Sequence, residues 1–304
     1  MLSLLLAFAS PAHAQACICS RNVAMPSGAA VRPWEGTTTL DYTVAQSGQE
    51  GSWQGFVPAK DRNENSMADM FMPGHLVQTV SLEAALGLPA GFSFSATLPW
   101  MSVTHLGVSE MPGDVDSASL ADASAQLRWG RATEDRKTFY GVGLGVTLPT
   151  GLVVVDTPVR AGKGAVGGLV SLQVFRKLSP HFGGSLSAGA SPTLFTPPDG
   201  YRVGSSANAV AGLRFSPREN GRLIFNGMAL LRYQGKDTIE EYVYEHTGLV
   251  VLDAILGASF NVWAKELRSC TVSLRGEAPL WQVVGDPWLV ENFSVTAAVN
   301  VVAF

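Results

Sequence analysis

Hydrophobic and polar residues alternate with a period of two in segments of about nine to fifteen residues along most of the chain. In one clear case the apolar residues Phe92, Phe94 and Leu98 alternate with Ser93 and Thr97. This alternation is typical of β-strands that have one apolar and one polar face. Twelve such strands are predicted, at about residues 37–45, 75–88, 91–99, 121–130, 138–149, 166–178, 181–191, 201–215, 221–232, 247–262, 269–278 and 289–303.

The connections between these predicted strands alternate in length. Short ones lie at 89–90, 131–137, 179–180, 216–220 and 263–268, and long ones at 46–74, 100–120, 150–165, 192–200, 233–246 and 279–288. Short turns at one rim and long loops at the other are typical of barrels of the bacterial outer membrane. We therefore predict an all-β fold, a transmembrane antiparallel up-and-down β-barrel of about 12 strands over residues 37–304. A periplasmic β-sandwich is the alternative, and it requires no alternation of loop length.

Composition agrees with a protein that is solvated partly by lipid. Of the 304 residues, 46% are hydrophobic and only 15% are charged, whereas a soluble domain has roughly 25% charged residues. No segment has enough uninterrupted apolar residues for a membrane-spanning helix. Lysine and arginine number 21 against 25 acidic residues, so nucleic acid is excluded as a partner.

The two ends of the chain carry export signals. Residues 1–14 form a short apolar run that ends in the small-x-small sequence Ala12-His13-Ala14, which predicts a signal peptide cleaved after Ala14. Residues 15–36 are then an N-terminal periplasmic segment that contains Cys17 and Cys19. The terminal Phe304 resembles the outer-membrane β-signal, which predicts recognition by the barrel assembly machinery.

One region of the chain resembles a known family. Residues 141–151 read GVGLGVTLPTG and are preceded by LADASAQLR at 120–128. This pairing is similar to bacterial outer-membrane barrels labelled phenol-degradation (meta-pathway) or transporter proteins. The resemblance implies a barrel and a role in transport, without naming a substrate.

The glycines of this region fall on the polar phase of their strand. Gly141, Gly143 and Gly145 are predicted to face the barrel interior. Two interpretations remain open: the glycines accommodate a large neighbouring side chain or an inward loop, or they leave clearance for a permeating solute.

Charged residues also fall on the inward phase. The predicted lumen-lining set is Asp41, Glu83, Asp253 and Glu277 with Arg128, Arg202, Arg214, Arg222, Arg232 and Arg275. These residues either form a salt-bridge network that fills a narrow barrel or line a wet channel with a mild preference for anions. Barrels of about eight strands are filled and those of about sixteen are open, so twelve strands do not decide between the two.

Soft-metal ligands are concentrated near the N-terminus and in the first two long loops. The candidate ligands are Cys17, Cys19, Met67, Met70, Met72 and His75, with Met101, His105 and Met111 further along. Thiolate, thioether and imidazole suit copper in its reduced state, although methionine is also ordinary hydrophobic filler.

Motifs for hydrolases, metalloproteases and nucleotide-binding enzymes are absent from the sequence, so no enzymatic activity is predicted. The first functional hypothesis is an outer-membrane barrel, in contact with lipid, that passes or binds small solutes without covalent chemistry and without a cofactor. The alternatives are an outer-membrane protein that binds copper or another soft metal, and a structural barrel with a plugged lumen.

Overall fold

The computed structural model of the chain describes residues 34–47, 74–106, 117–151, 164–195, 200–218, 222–239, 242–243, 248–265, 268–284 and 291–302. The predicted signal peptide, Cys17, Cys19 and Phe304 lie outside these ranges. Among the described residues, no helix is long and apolar enough to cross a membrane.

Within these ranges sixteen β-strands are present, numbered here in chain order. They are β1 (Gly36–Ser47), β2 (Gly74–Gly87), β3 (Phe92–Leu106), β4 (Ser117–Leu120), β5 (Ala123–Ala132), β6 (Thr138–Leu148), β7 (Gly167–Lys177), β8 (Phe182–Ser191), β9 (Tyr201–Arg202), β10 (Ser206–Phe215), β11 (Leu223–Gln234), β12 (Thr238–Ile239), β13 (Tyr242–Val243), β14 (Leu249–Lys265), β15 (Arg268–Val284) and β16 (Glu291–Val302). A 3-10 turn, Pro89–Gly91, links β2 to β3.

The long strands close into one antiparallel barrel. Starting at β1 and passing through β16, the ring runs β15, β14, β11, β10, β8, β7, β6, β5, β3 and β2, and β2 pairs with β1 to close it. The short β4 pairs with β3 beside β5, so β4 and β5 share one of twelve wall positions. The predicted up-and-down barrel of about 12 strands is therefore confirmed, and a sandwich of two sheets is excluded.

The gap between β4 and β5 lies opposite a proline. Pro99 of β3 carries no backbone N–H and so removes one donor from the ladder. Across from it, the amide of Ala121 donates to the Pro99 carbonyl at 2.9 Å, and Ala121 and Asp122 leave the regular register. One wall strand is thus interrupted at Ala121 and Asp122, and its two parts are β4 and β5.

The short and long connections lie at opposite rims, as the sequence predicts. The short-turn rim holds the connections 88–91, 133–137, 178–181, 216–222 and 266–267, together with the start of β1 and the end of β16. Apart from Ala121 and Asp122 between β4 and β5, the other wall strands are joined from their ends at the long-loop rim. There, β9, β12 and β13 form a separate small sheet.

Three predicted strand boundaries are wrong. The strand predicted at 91–99 continues to Leu106 as β3. The segment predicted at 201–215 is divided, because residues 203–205 are not in a strand and β9 pairs with β12 instead of with the wall. The segment predicted to end at 278 continues to Val284 as β15, which passes Pro279 with a β-bulge. A bulge accommodates a proline that a regular ladder would not.

The outer surface of the wall is apolar. Along β6 the side chains of Tyr140, Val142, Leu144 and Val146 point outward and are 37%, 45%, 65% and 40% exposed. Exposed leucine, valine and phenylalanine recur in the same phase on the other wall strands. Such an extensive exposed apolar surface is stable in a bilayer, where lipid tails replace water.

Aromatic side chains lie at the short-turn end of this surface. The rings of Phe182 and Phe215 are 5.0 Å apart, those of Phe215 and Phe225 are 6.4 Å apart, and those of Trp129 and Tyr140 are 5.9 Å apart. Their position matches the aromatic girdle that marks a membrane interface in barrels of this kind.

Candidate functional site in the barrel lumen

The best-defined charged cluster in the lumen joins three strands. The guanidinium of Arg232 on β11 lies 2.6 Å from the Asp253 carboxylate on β14 and 3.7 Å from the Glu277 carboxylate on β15. All three side chains are at most 7% exposed. A buried charge needs such partners, because leaving it unpaired costs several kcal/mol.

The bulge in β15 sets up this cluster. Val251 lies opposite Gln282, but beyond the bulge Asp253 lies opposite Pro279 instead of Leu280. This extra residue shifts the phase of β15, so that Gln282 at one end and Glu277 further along both face the lumen. A strand without the bulge would turn one of them toward lipid.

A second polar cluster lies on β2, β5 and β7. Arg128 lies 3.6 Å from Glu83, and its Nε donates to the Gln126 side-chain oxygen at 2.6 Å. Gln126 in turn donates to Ser171 Oγ at 2.8 Å. The chain of contacts crosses the interior between strands that are not adjacent in sequence.

Asp41 and Arg275 belong to the side of the lumen formed by β1, β15 and β16. Arg275 donates to Thr296 Oγ1 at 2.9 Å, and Thr296 is hydrogen-bonded to Thr43. Asp41 is 4% exposed. Glu83 and Arg275 are charged neighbours of Asp41.

Two predicted lumen residues do not line the wall. Arg202 lies in β9 at the long-loop rim, where its exposed side chain donates to the Thr193 carbonyl at 2.8 Å. Arg222 precedes β11 at the short-turn rim and is exposed. Within the described wall strands the inward acids Asp41, Glu83, Asp253 and Glu277 face the arginines Arg128, Arg214, Arg232 and Arg275, with Lys177 at the exposed end of β7. On the described wall strands the inward arginines therefore equal the inward acids in number, so the predicted excess of arginine is not found there.

The glycines of β6 face inward as predicted. A Cβ at Gly143 would come within 2.5 Å of both Gln126 Nε2 and Ser171 Oγ. A Cβ at Gly141 would lie 2.9 Å from Gln173 Nε2. Neighbouring side chains thus fill the space above these glycines, which favours close packing over clearance for a solute.

The lumen also contains apolar clusters that the sequence analysis missed. Val210, Leu230 and Ile255 pack together on β10, β11 and β14, with Met228 against them. A further cluster near the long-loop rim comprises Ala45, Val77, Met101 and Val103. The period-two alternation predicts a polar inward phase, whereas these apolar residues occupy it.

The second cluster changes the interpretation of one methionine. Met101, considered above among soft-metal ligands of a loop, is a residue of β3 with 2% exposure inside this apolar cluster. Methionine here acts as hydrophobic packing.

Most of the other candidate metal ligands are not among the residues that the structure describes. Cys17, Cys19, Met67, Met70 and Met72 lie outside the described residues. His75 is in β2, where its backbone is in register with that of His105 in β3. Over the described ranges, no group of three or more histidine, cysteine, aspartate or glutamate side chains is placed to hold a metal ion. The copper hypothesis therefore stays a prediction, as does recognition of Phe304 by the assembly machinery.

The chain is similar to several solved structures, and the first of them supports the fold. An outer-membrane channel from Pseudomonas putida F1 superimposes with a TM-score of 0.72, covering 89% of this chain and 96% of that chain at 12% identity. A NanC porin gives a TM-score of 0.46 at 7% identity, covering 88% of this chain and 99% of that chain. The toluene transporter TbuX from Ralstonia pickettii gives 0.40 at 11% identity, covering 88% and 89%.

No known protein family matches the sequence, and no curated protein matches it. The likeness to the Pseudomonas putida channel is therefore one of fold. The closed twelve-stranded barrel and its apolar outer surface together place the protein in the bacterial outer membrane, as the sequence predicts.

Proposed function

We propose that the protein is an outer-membrane channel that lets small solutes pass along its lumen and performs no covalent chemistry. The observation that carries the proposal is the contrast between the two faces of the wall. The outer face is apolar, whereas the inner face carries serine, threonine, glutamine and paired charges. A barrel with an apolar exterior and a polar interior is the architecture of aqueous outer-membrane channels.

Access to the interior supports the same proposal. Near the short-turn rim the inward residues Ser93, Arg128, Asn226, Ser273 and Asn300 are partly exposed. Water therefore reaches these inward side chains around this end of the barrel. Polar side chains in contact with water lower the cost of moving a hydrated solute past them.

Inward side chains pack closely over part of the lumen. At the long-loop end Ala45, Val77, Val103 and Val251 are at most 6% exposed, and at the short-turn end Thr39 and Phe139 are at most 4% exposed. Such packing leaves room for small solutes and retains large ones. The internal charge network narrows the lumen further, because Arg232, Asp253 and Glu277 extend into it from one side.

The test is uptake of uncharged solutes by liposomes that contain the refolded protein. Swelling in isosmotic glycerol, xylitol and sucrose separates small from large solutes without a contribution from charge. We expect faster swelling in xylitol than in protein-free liposomes and no acceleration in sucrose. Folding is checked by migration on gels without boiling. A folded protein that accelerates none of the three solutes contradicts the proposal and favours the plugged barrel.

A further inference from the structure

The inward side chains are not equally accessible around the barrel. On β1, β2 and β16 the central inward residues Thr43, Thr79, Ser81 and Thr296 are 1–4% exposed. On β8, which lies six positions from β1 in the ring of twelve, Ser185, Ser187 and Gly189 are partly exposed. The lumen is therefore accessible against β8, whereas side chains fill the part of it against β1, β2 and β16.

Cross-strand pairing extends this accessible part of the lumen onto β10. Ser185 pairs with Gly212, Ser187 with Val210, and Gly189 with Asn208. Asn208 is partly exposed as well. A Cβ at Gly212 would lie 2.8 Å from Ser185 Oγ and 2.9 Å from Met228 Cγ, so side chains fill that position. We call Ser185, Ser187, Gly189 and Asn208 the β8–β10 track. The track runs from the short-turn half of the wall toward the long-loop rim.

The end of the track nearest the long-loop rim carries a buried hydroxyl with no hydrogen-bond partner. Ser206 pairs with Ser191 at the long-loop ends of β10 and β8, directly beyond the pair formed by Gly189 and Asn208. Its side chain faces inward, it is 4% exposed, and its Oγ makes no hydrogen bond. A buried hydroxyl without a partner is costly unless a ligand or water supplies one.

A second buried polar atom without a hydrogen-bond partner lies near the short-turn end of the track. Asn226 on β11 is partly exposed, and its side-chain oxygen Oδ1 makes no hydrogen bond. It pairs with Arg214 near the short-turn end of β10. Unused hydrogen-bonding atoms therefore lie at both ends of the track.

The chemistry of the track indicates an uncharged solute. Its own side chains are hydroxyl, amide and hydrogen, and the neighbouring Arg232 is held by Asp253 and Glu277. Hydroxyl and amide groups replace the hydrogen bonds that a hydroxyl-bearing solute makes with water. They offer no compensation for stripping water from an ion, so an ion passes the track only with its hydration water and is not bound there.

We infer that solutes cross the barrel along the β8–β10 track, that Ser187 sets the clearance at its middle, and that Ser206 hydrogen-bonds a small, uncharged, hydroxyl-bearing solute at its long-loop end. This inference rests on the proposed function and adds to it a path and a class of solute.

Added bulk tests the path. Ser187→Phe places a ring in the track, whereas Ala188→Phe places the same ring on the lipid-facing side of the next residue in β8. In the swelling assay with xylitol outside the liposomes, we expect Ser187→Phe to reduce uptake to the protein-free rate. We expect Ala188→Phe to keep the wild-type rate. Equal rates for both folded variants overturn the path while leaving the proposed function intact.

Removing the hydroxyl tests the solute class. For Ser206→Ala we expect the xylitol concentration at half-maximal flux to rise about fivefold, the factor that corresponds to one hydrogen bond of about 1 kcal/mol. An unchanged half-maximal concentration overturns the role of Ser206.

Cysteine labelling tests the track without relying on flux. In a background with Cys17, Cys19 and Cys270 changed to serine, Ser187→Cys is compared with Ser81→Cys on the buried side of the lumen. A charged methanethiosulfonate, which does not cross membranes, is expected to modify the cysteine at 187 and spare the one at 81. Modification of both, or of neither, overturns the one-sided track. If xylitol uptake is absent but only the cysteine at 187 reacts, the proposed function fails and the track stands as a closed pocket.

Discussion

Arg232 and Asp253 form a buried ion pair across neighbouring strands, with 2.6 Å between the guanidinium nitrogen and the carboxylate oxygen. Their side chains are 7% and 1% exposed, and Glu277 lies on the other side of the arginine at 3.7 Å. The pair ties β11 to β14 from within the lumen, where lipid makes no contact. It thus belongs to the packing of the barrel and not to its outer surface.

The first prediction concerns this pair. Asp253→Asn keeps the shape of the side chain but removes its charge, so it should lower the free energy of unfolding by about 3 kcal/mol, as breaking buried pairs does. Arg232→Gln should cost a similar amount. Urea unfolding of both single variants and the double variant measures the coupling. Strictly additive losses would show that the two residues do not stabilise the barrel as a pair.

The second prediction concerns the glycine strand β6. A Cβ at Gly145 would collide with the backbone carbonyl oxygen of Ala125. Gly145→Ala should therefore lower the free energy of unfolding by about 2 kcal/mol, since backbone has to move. At Gly276, on the lipid side of β15, a Cβ meets nothing within 4 Å. Gly276→Ala is the matched control and should leave stability unchanged. A neutral Gly145→Ala would contradict the close packing described for β6.

The third prediction concerns the lipid-facing surface. Leu144 lies in the middle of β6 and is 65% exposed, while Leu148 ends the same strand with 44% exposure. Leu144→Arg should destabilise the protein in lipid by about 3 kcal/mol, and Leu148→Arg by about 1 kcal/mol or less, because the cost of a charge falls toward the interface. Unfolding in phospholipid vesicles measures both. Equal costs would contradict the placement of β6 across the membrane.

The fourth prediction concerns a short turn outside the membrane. In the turn 133–137, the Thr133 hydroxyl and the Lys137 amide both donate to Asp135, and these hydrogen bonds hold the pKa of Asp135 below its usual range. A lowered pKa in the folded state gives stabilisation that is present above the ordinary pKa and lost as pH falls through the lowered one. Thr133→Val removes the larger contribution, so an NMR titration should show the pKa of Asp135 rising. An unchanged titration midpoint would show that the Thr133 hydroxyl does not hold the carboxylate.

Much of the fold follows from the sequence because its determinants are local. Period-two alternation and turn residues lie within a few positions of each other, so the predicted strands and the two rims match the structure closely. The misplaced boundaries involve tertiary effects. Pro279 is accommodated by a bulge, and residues 203–205 leave the wall because the amide of Gly204 donates to Asp237 in another loop.

The site was less predictable because it depends on register between strands. The inward phase of Arg232, Asp253 and Glu277 can be read from each strand alone. That the three side chains meet depends on how β11, β14 and β15 align, and a shift of one residue would turn any of them toward lipid. The accessible part of the lumen against β8 depends on the volume of side chains from across the ring, which no single segment of the sequence contains.

The central claim is that the lumen is a passage through the membrane, and the most direct test is the current carried by the refolded wild-type protein in a planar bilayer under a potassium chloride gradient. We expect discrete conductance steps with a reversal potential near zero, because four inward acids face four inward arginines along the described wall. Insertion of folded, heat-modifiable protein without any steps above the lipid baseline would contradict the account.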